Sequence, residues 1–120
     1  MTYEQMKSTL EMIDNPVEKL EMVMDFGKNL EQVPQNAVCS EILGCASQVE
    51  ICVRGGDLFA RADSALVRGV VAILIEMVRG KTPQEIKQMD LYGEFNSLDI
   101  NLGAGRLNGL NSMIRFLQNL

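Results

Sequence analysis

Three cysteines carry most of the chemistry this sequence can offer. Cys45 in "EILGCASQVEICV" has Gly44 before it and Ala46 and Ser47 after it, so little side-chain bulk shields its thiol. A thiol on a short turn can act as a nucleophile or hand a group to a partner. The same residue can equally fill core space, because free cysteine is among the most buried residue types. Cys39, among apolar neighbours in "AVCSEIL", reads as packing, and Cys52 stands opposite Val49, Ile51 and Val53 in an alternating stretch, facing either solvent or covering helices. The spacing C-x5-C-x6-C matches no common zinc or iron–sulfur ligand pattern, so no metal is expected.

The absence of histidine narrows the possibilities further. Ser-His-Asp and Cys-His arrangements are excluded within one chain, as are His-containing zinc sites. Any covalent chemistry must use a nucleophile activated in another way. The glycine-rich stretches "RGGD" and "LGAGRLNG" lack the P-loop lysine and do not sit between a strand and the helix of a βαβ unit, so they cradle no phosphate. Arg106, after "GAG", is either a solvated charge at a helix start or an anchor for an acidic group near the cysteine loop.

Composition sets the outer bounds. A chain of 120 residues is expected to form one domain, 1–120, with a core that needs no metal or disulfide. Eleven basic and 16 acidic residues give a net charge of -5 with no long run of either sign, which argues against nucleic acid and against an anionic membrane surface. "MTYEQMKSTLEMIDNP" lacks the basic start and apolar block of a secretory signal, and the longest apolar run, "VVAILI", is too short to span a bilayer. A cytoplasmic protein is expected, with its odd number of cysteines present as free thiols.

The elements that must position these residues follow from periodicity. Met6, Leu10 and Ile13 share a face of a helix over 3–13, "DNP" stops it, and a second helix over 17–30 repeats Val17, Leu20, Val23, Met24 and Leu30, with Asp14 or Asn15 as cap and Pro16 in its first turn. After the loop "EQVPQN", strands are expected at 37–43 and 47–53, with "GCAS" as the turn between them, then a Gly55-Gly56 turn and a return strand through Leu58 and Ala60. Ser64 or Asp63 caps a third helix, "SALVRGVVAILIEMVRG", apolar on most sides and so central. "TPQEI" opens a fourth with a capping box, Thr82 at the cap, Pro83 at the first position and Glu85 at the third. A turn-rich or helical stretch leads to a terminal helix with Leu107, Leu110, Ile114 and Leu117 on one face. Of the eight methionines, Met6, Met12, Met22, Met24, Met77 and Met113 fall in helical patterns and read as core rather than as a pliable groove. The fold class is α+β: a small three-stranded antiparallel sheet packed against several helices.

Four segments, in order, resemble the SufE/CsdE family of sulfur acceptors in iron–sulfur cluster assembly. "GCASQVEI" is similar to the family's glycine-cysteine-x-serine-glutamine-valine-tryptophan stretch, with Glu50 where the tryptophan usually stands. "ADSALVRGVVAIL" resembles its helix that opens with aspartate and carries a basic-glycine pair. "KTPQEIKQMD" and "GRLNGLNSMI" resemble the threonine-proline helix start and the arginine-x-x-glycine-leucine terminal helix. The resemblance implies a SufE/IscU-like fold in which the Cys45 thiolate attacks the terminal sulfur of a persulfide on a SufS-type cysteine desulfurase, then relays that sulfur to a SufB-type scaffold. Thiol exchange depends on thiolate fraction and access, so no histidine is needed. The desulfurase brings the pyridoxal phosphate, which leaves this chain without a cofactor of its own, as an accessory protein with a covalent persulfide intermediate rather than a stand-alone enzyme. Family members are expected to rest the thiol in an apolar cavity. Asp63 and Arg106 match family positions near the cysteine loop and are candidates for partner contact. The rival readings are an adaptor that keeps the fold without transferring sulfur, and a redox thiol enzyme, which the lack of a CxxC pair disfavours.

Overall fold

The computed structural model describes residues 1–45 and 47–120, with Ala46 outside the described residues. Elements run α1 (Tyr3–Glu11), α2 (Pro16–Gly27), β1 (Val38–Glu41), β2 (Val49–Arg54), β3 (Asp57–Ala62), α3 (Ala65–Val78), α4 (Pro83–Gln88), α5 (Leu91–Asn96) and α6 (Ala104–Gln118). This is the expected α+β plan, a helical pair, a three-stranded antiparallel meander in the order β1-β2-β3, then helices. The turn-rich stretch before the terminal helix contains α5, whose first turn is closed by Asp90 accepting from the Gly93 amide.

Local capping chemistry fixes most helix starts. Asn15 accepts from the Val17 and Glu18 amides with Pro16 at the first position of α2. Thr82 and Glu85 form the expected capping box, and Thr2 with Gln5 forms another at α1. Ser64, not Asp63, caps α3 by accepting from the Val67 amide.

The core is one cluster centred on α3, whose Leu66, Val67, Val70, Val71, Ile73, Leu74, Ile75, Met77 and Val78 are all buried. Val49 and Ile51 of β2 and Ala60 of β3 meet it from the sheet. α2 lies against α3 at glycine distance: a Cβ at Gly69 would collide with the Val23 carbonyl oxygen, and one at Gly27 would stand 2.7 Å from the Gly69 amide nitrogen. This close approach explains the glycine in the "RG" pair of α3.

Several apolar positions do not reach the core. Met12 follows the last turn of α1 and is 82% exposed, Val17 on the outer face of α2 is 62% exposed, and Leu107 is 40% exposed while Leu110, Ile114 and Leu117 are buried with Met113. Helical spacing alone assigns them to the inner face; the helix ends and the packing angle turn them out.

The cysteines require the main correction. Cys39 and Cys52 are not free thiols that merely pack: they form a disulfide. The physical reason is register, since the β1–β2 ladder sets Cys39 directly opposite Cys52 and both side chains leave the same face of the sheet. Cys39 is exposed and Cys52 is fully buried. Cys45 is the free cysteine.

Candidate functional site

Cys45 lies on the β1–β2 connection, between a strand of four residues and one of six. Ile42 donates to the Val49 carbonyl at 2.9 Å, so the loop is closed at its base and its tip must fold over as a short excursion. Gly44 makes that excursion possible with φ of +89°, a left-handed conformation that side chains disfavour. The same glycine lies against α6, where a Cβ would stand 2.8 Å from Ser112 Oγ. The turn thus falls where the sequence places it, with Gly44, Cys45 and Ser47 on it; the remaining member of "GCAS", Ala46, lies outside the described residues.

The thiol is half-buried and faces a cavity of about 230 Å³ between the loop, α3 and α6. Val67 and Val70 of α3, Leu102, and Leu110 and Met113 of α6 supply the apolar lining. Gly109 forms the part of the wall nearest the sulfur, for a Cβ there would meet Cys45 Sγ at 3.0 Å. Burial pushes the Cys45 thiol above its ordinary value, because removing water disfavours the thiolate. Among the described residues the cavity has no carboxylate in its lining, and its one charged side chain is Arg106.

The structure joins Arg106 to this cavity and leaves Asp63 out of its lining. Arg106 is exposed, and its Nη1 donates to the Leu102 carbonyl at 3.1 Å, which holds the guanidinium back along the start of α6. Asp63 is exposed at the end of β3 and does not line the cavity; its amide donates to the Gln48 carbonyl at 3.3 Å, tying β3 to the return of the cysteine loop. Arg68, next in space, donates from Nε to the Ala62 carbonyl at 2.9 Å and steadies the same corner.

Two residues of the site receive no role from sequence, although the arginine-x-x-glycine-leucine stretch contains one of them. Gly109 and Ser112 lie one turn apart on α6 and receive the loop, Gly109 against Cys45 and Ser112 against Gly44. A signal for Gly109 exists: glycine inside a helix costs roughly 1 kcal/mol relative to alanine, so an internal glycine asks for a packing reason.

What the arrangement can do is limited and specific. It holds one thiol in its protonated form in an apolar recess on a loop. Among the described residues no base lines the recess to make it a resident nucleophile, and no neighbouring thiol on the loop makes it a dithiol oxidoreductase. Such a recess can shield a sulfur-bound group from water. Comparison with known proteins agrees. The SufE family model, described as an Fe-S metabolism associated domain, matches residues 4–120. An uncharacterised SufE-like protein of Rhizobium meliloti is 34% identical over 115 residues, covering 86% of this chain and 82% of its own length. The sulfur acceptor protein CsdE of Escherichia coli is 28% identical over 122 residues, covering 94% and 83%. The solution structure of a hypothetical protein from Thermus thermophilus shares the fold, with a TM-score of 0.75 at 15% identity over 99% of this chain and 94% of that one. The chain belongs to the SufE family. No described helix is long and apolar enough to cross a membrane.

Proposed function

We propose that this protein accepts sulfur from a cysteine desulfurase onto Cys45 and relays it to iron–sulfur cluster assembly, with a SufS-type enzyme as donor and a SufB-type scaffold as recipient. The observation that supports this best is the free thiol of Cys45 set into an apolar cavity on a loop. Family membership and the name of the E. coli relative, a sulfur acceptor, point the same way.

In the step itself, Cys45 as thiolate attacks the outer sulfur of the donor's persulfide. The donor S–S bond breaks, a new S–S bond forms on Cys45, and the donor cysteine leaves as a thiolate, so no net oxidant or reductant is consumed. At rest the cavity keeps the thiol protonated; when the loop extends into the donor, the thiol regains water and its ordinary acidity. On return, the same apolar walls keep the persulfide from solvent nucleophiles and oxidants. Arg106 at the cavity and Asp63 at the corner of the loop are both exposed, and we assign them to contact with the partner.

Incubating the protein with a SufS-type desulfurase and cysteine, then measuring the intact mass without reductant, tests the reading. Wild type should gain one sulfur atom, and Cys45→Ser should gain none while still binding the desulfurase. A Cys45→Ser chain that still gains sulfur refutes the assignment, and a wild type that binds but never gains sulfur makes the protein an adaptor.

A further inference from the structure

The sheet face that does not carry Val49, Ile51 and Ala60 gathers a set of side chains that linear spacing hides. Cys39 and Cys52 are cross-strand partners, Glu50 precedes Cys52 by two residues and so shares its face, and the two Sγ atoms and a Glu50 carboxylate oxygen all lie within 4.8 Å of one another. Arg61, opposite Glu50 on β3, brings its Nη1 to 3.6 Å from Glu50 Oε2. We propose that the reduced form of this cluster is a site for a thiophilic divalent cation, Zn²⁺, held by Cys39, Cys52 and Glu50, and that the disulfide is the metal-free state of the same site.

Ligand type and geometry support the assignment. Two thiolates and a carboxylate are an ordinary tetrahedral donor set, and bonds of about 2.3 Å to sulfur place two thiolates about 3.8 Å apart, inside the 4.8 Å that already spans both Sγ atoms and the Glu50 oxygen. A water completes the fourth position. Two thiolates and one carboxylate more than offset the cation, leaving one negative charge that Arg61 faces at Glu50, while the exposed Glu41 opposite Glu50 keeps the surroundings acidic and attractive to a cation. Glu50 is half-buried and Cys52 fully buried, so part of the site is already withdrawn from water.

The two states exchange by a balanced reaction. A dithiol reductant gives two electrons and two protons to the Cys39–Cys52 bond and leaves as its own cyclic disulfide. Zn²⁺ then displaces the two thiol protons to solvent and forms two Zn–S bonds and one Zn–O bond. Bound metal blocks reoxidation, and the disulfide blocks the metal, so occupancy reports the redox state of the strand pair. Cys45 takes no part, and the inference stands whether or not Cys45 carries sulfur.

The test titrates Zn²⁺ into the phosphine-reduced full chain against a chromophoric chelator, with far-UV circular dichroism recorded alongside. One Zn²⁺ per chain is expected, with binding absent in the oxidised protein, unchanged in Cys45→Ser, weakened by at least roughly 10-fold in Glu50→Gln, since even the loss of an outer-shell partner costs that much, and lost in Cys39→Ser, the exposed member of the pair. No binding by the reduced wild type, binding unaffected by Cys39→Ser, or loss in Cys45→Ser overturns the proposal. A reduced chain that has lost its helical signal overturns it too, because the strands would then no longer hold the ligands together.

Discussion

Opening the Cys39–Cys52 bond should weaken the fold substantially, and the size of the effect follows from the chain it closes. The two cysteines are 13 residues apart. Constraining a loop of that length removes denatured-state entropy worth about 3 kcal/mol at room temperature. Little else holds the strand concerned: β1 is a four-residue edge strand paired only with β2, and Val38, Cys39 and Glu41 are exposed. Urea unfolding followed by far-UV circular dichroism on oxidised wild type, reduced wild type and Cys39→Ser measures the effect. With a slope of about 1.5 kcal/mol per molar urea for a domain of this size, the midpoint should fall by about 2 M in the reduced and Cys39→Ser samples alike. Reductant should leave Cys39→Ser unmoved. Coincident curves for oxidised and reduced wild type would refute the reasoning, and so would a reductant response in Cys39→Ser, since the effect would then come from elsewhere.

Two further predictions probe the thiol and the helical frame. Because burial raises the Cys45 thiol, its folded pKa exceeds the unfolded one; the neutral thiol stabilises the fold below the unfolded pKa, and this is lost as pH rises through the folded pKa. Iodoacetamide alkylation of the oxidised protein should therefore reach half-maximal rate at higher pH when folded than in urea, and Gly109→Ala, whose Cβ takes the space beside Sγ, should shift the folded profile back; unchanged profiles would show that the cavity does not seat the thiol. In the other half of the molecule, Tyr3 Oη donates to Glu94 Oε1 at 2.6 Å and Lys7 Nζ donates to the same oxygen at 3.1 Å, linking α1 to α5. The Tyr3 hydrogen bond, then that of Lys7, lowers the Glu94 carboxyl, so its stabilisation is present above the unfolded pKa and lost as acid titrates the folded carboxyl; Glu94→Gln should flatten the acid limb of a Tm-against-pH curve, and an unaltered limb would count against the link.

Much of the architecture was legible because its signals are local. Pro16 with Asn15, Thr82 with Pro83 and Glu85, and the Gly55-Gly56 turn each satisfy or set backbone groups within a few residues, and the structure places helix starts and the hairpin there. Alternation in "SQVEICV" sends Val49 and Ile51 to the core as expected, whereas Val53 is only half-buried and Cys52, on the other face, is buried as well. The errors share a different origin. Met12, Val17 and Leu107 have the right spacing but sit where helices end or tilt away, a matter of neighbours rather than of period. The cap of α3 was no error but an open choice between Ser64 and Asp63, and the structure gives it to Ser64.

For the site, sequence determined that a thiol without any possible histidine partner stands on a glycine-led turn between two strands, because turn chemistry and composition are properties of the chain itself. It could not determine what the thiol faces. The cavity is made by α3 and α6, and Gly109 lies 64 residues on from Cys45 in the chain yet within contact of its sulfur, an adjacency that only packing creates. The Cys39–Cys52 pair is the sharper case. A spacing of 13 carries no sign of a bond, since register alone decides which residue of β1 stands opposite Cys52, and a slip by one residue would send Cys39 to the other face of the sheet.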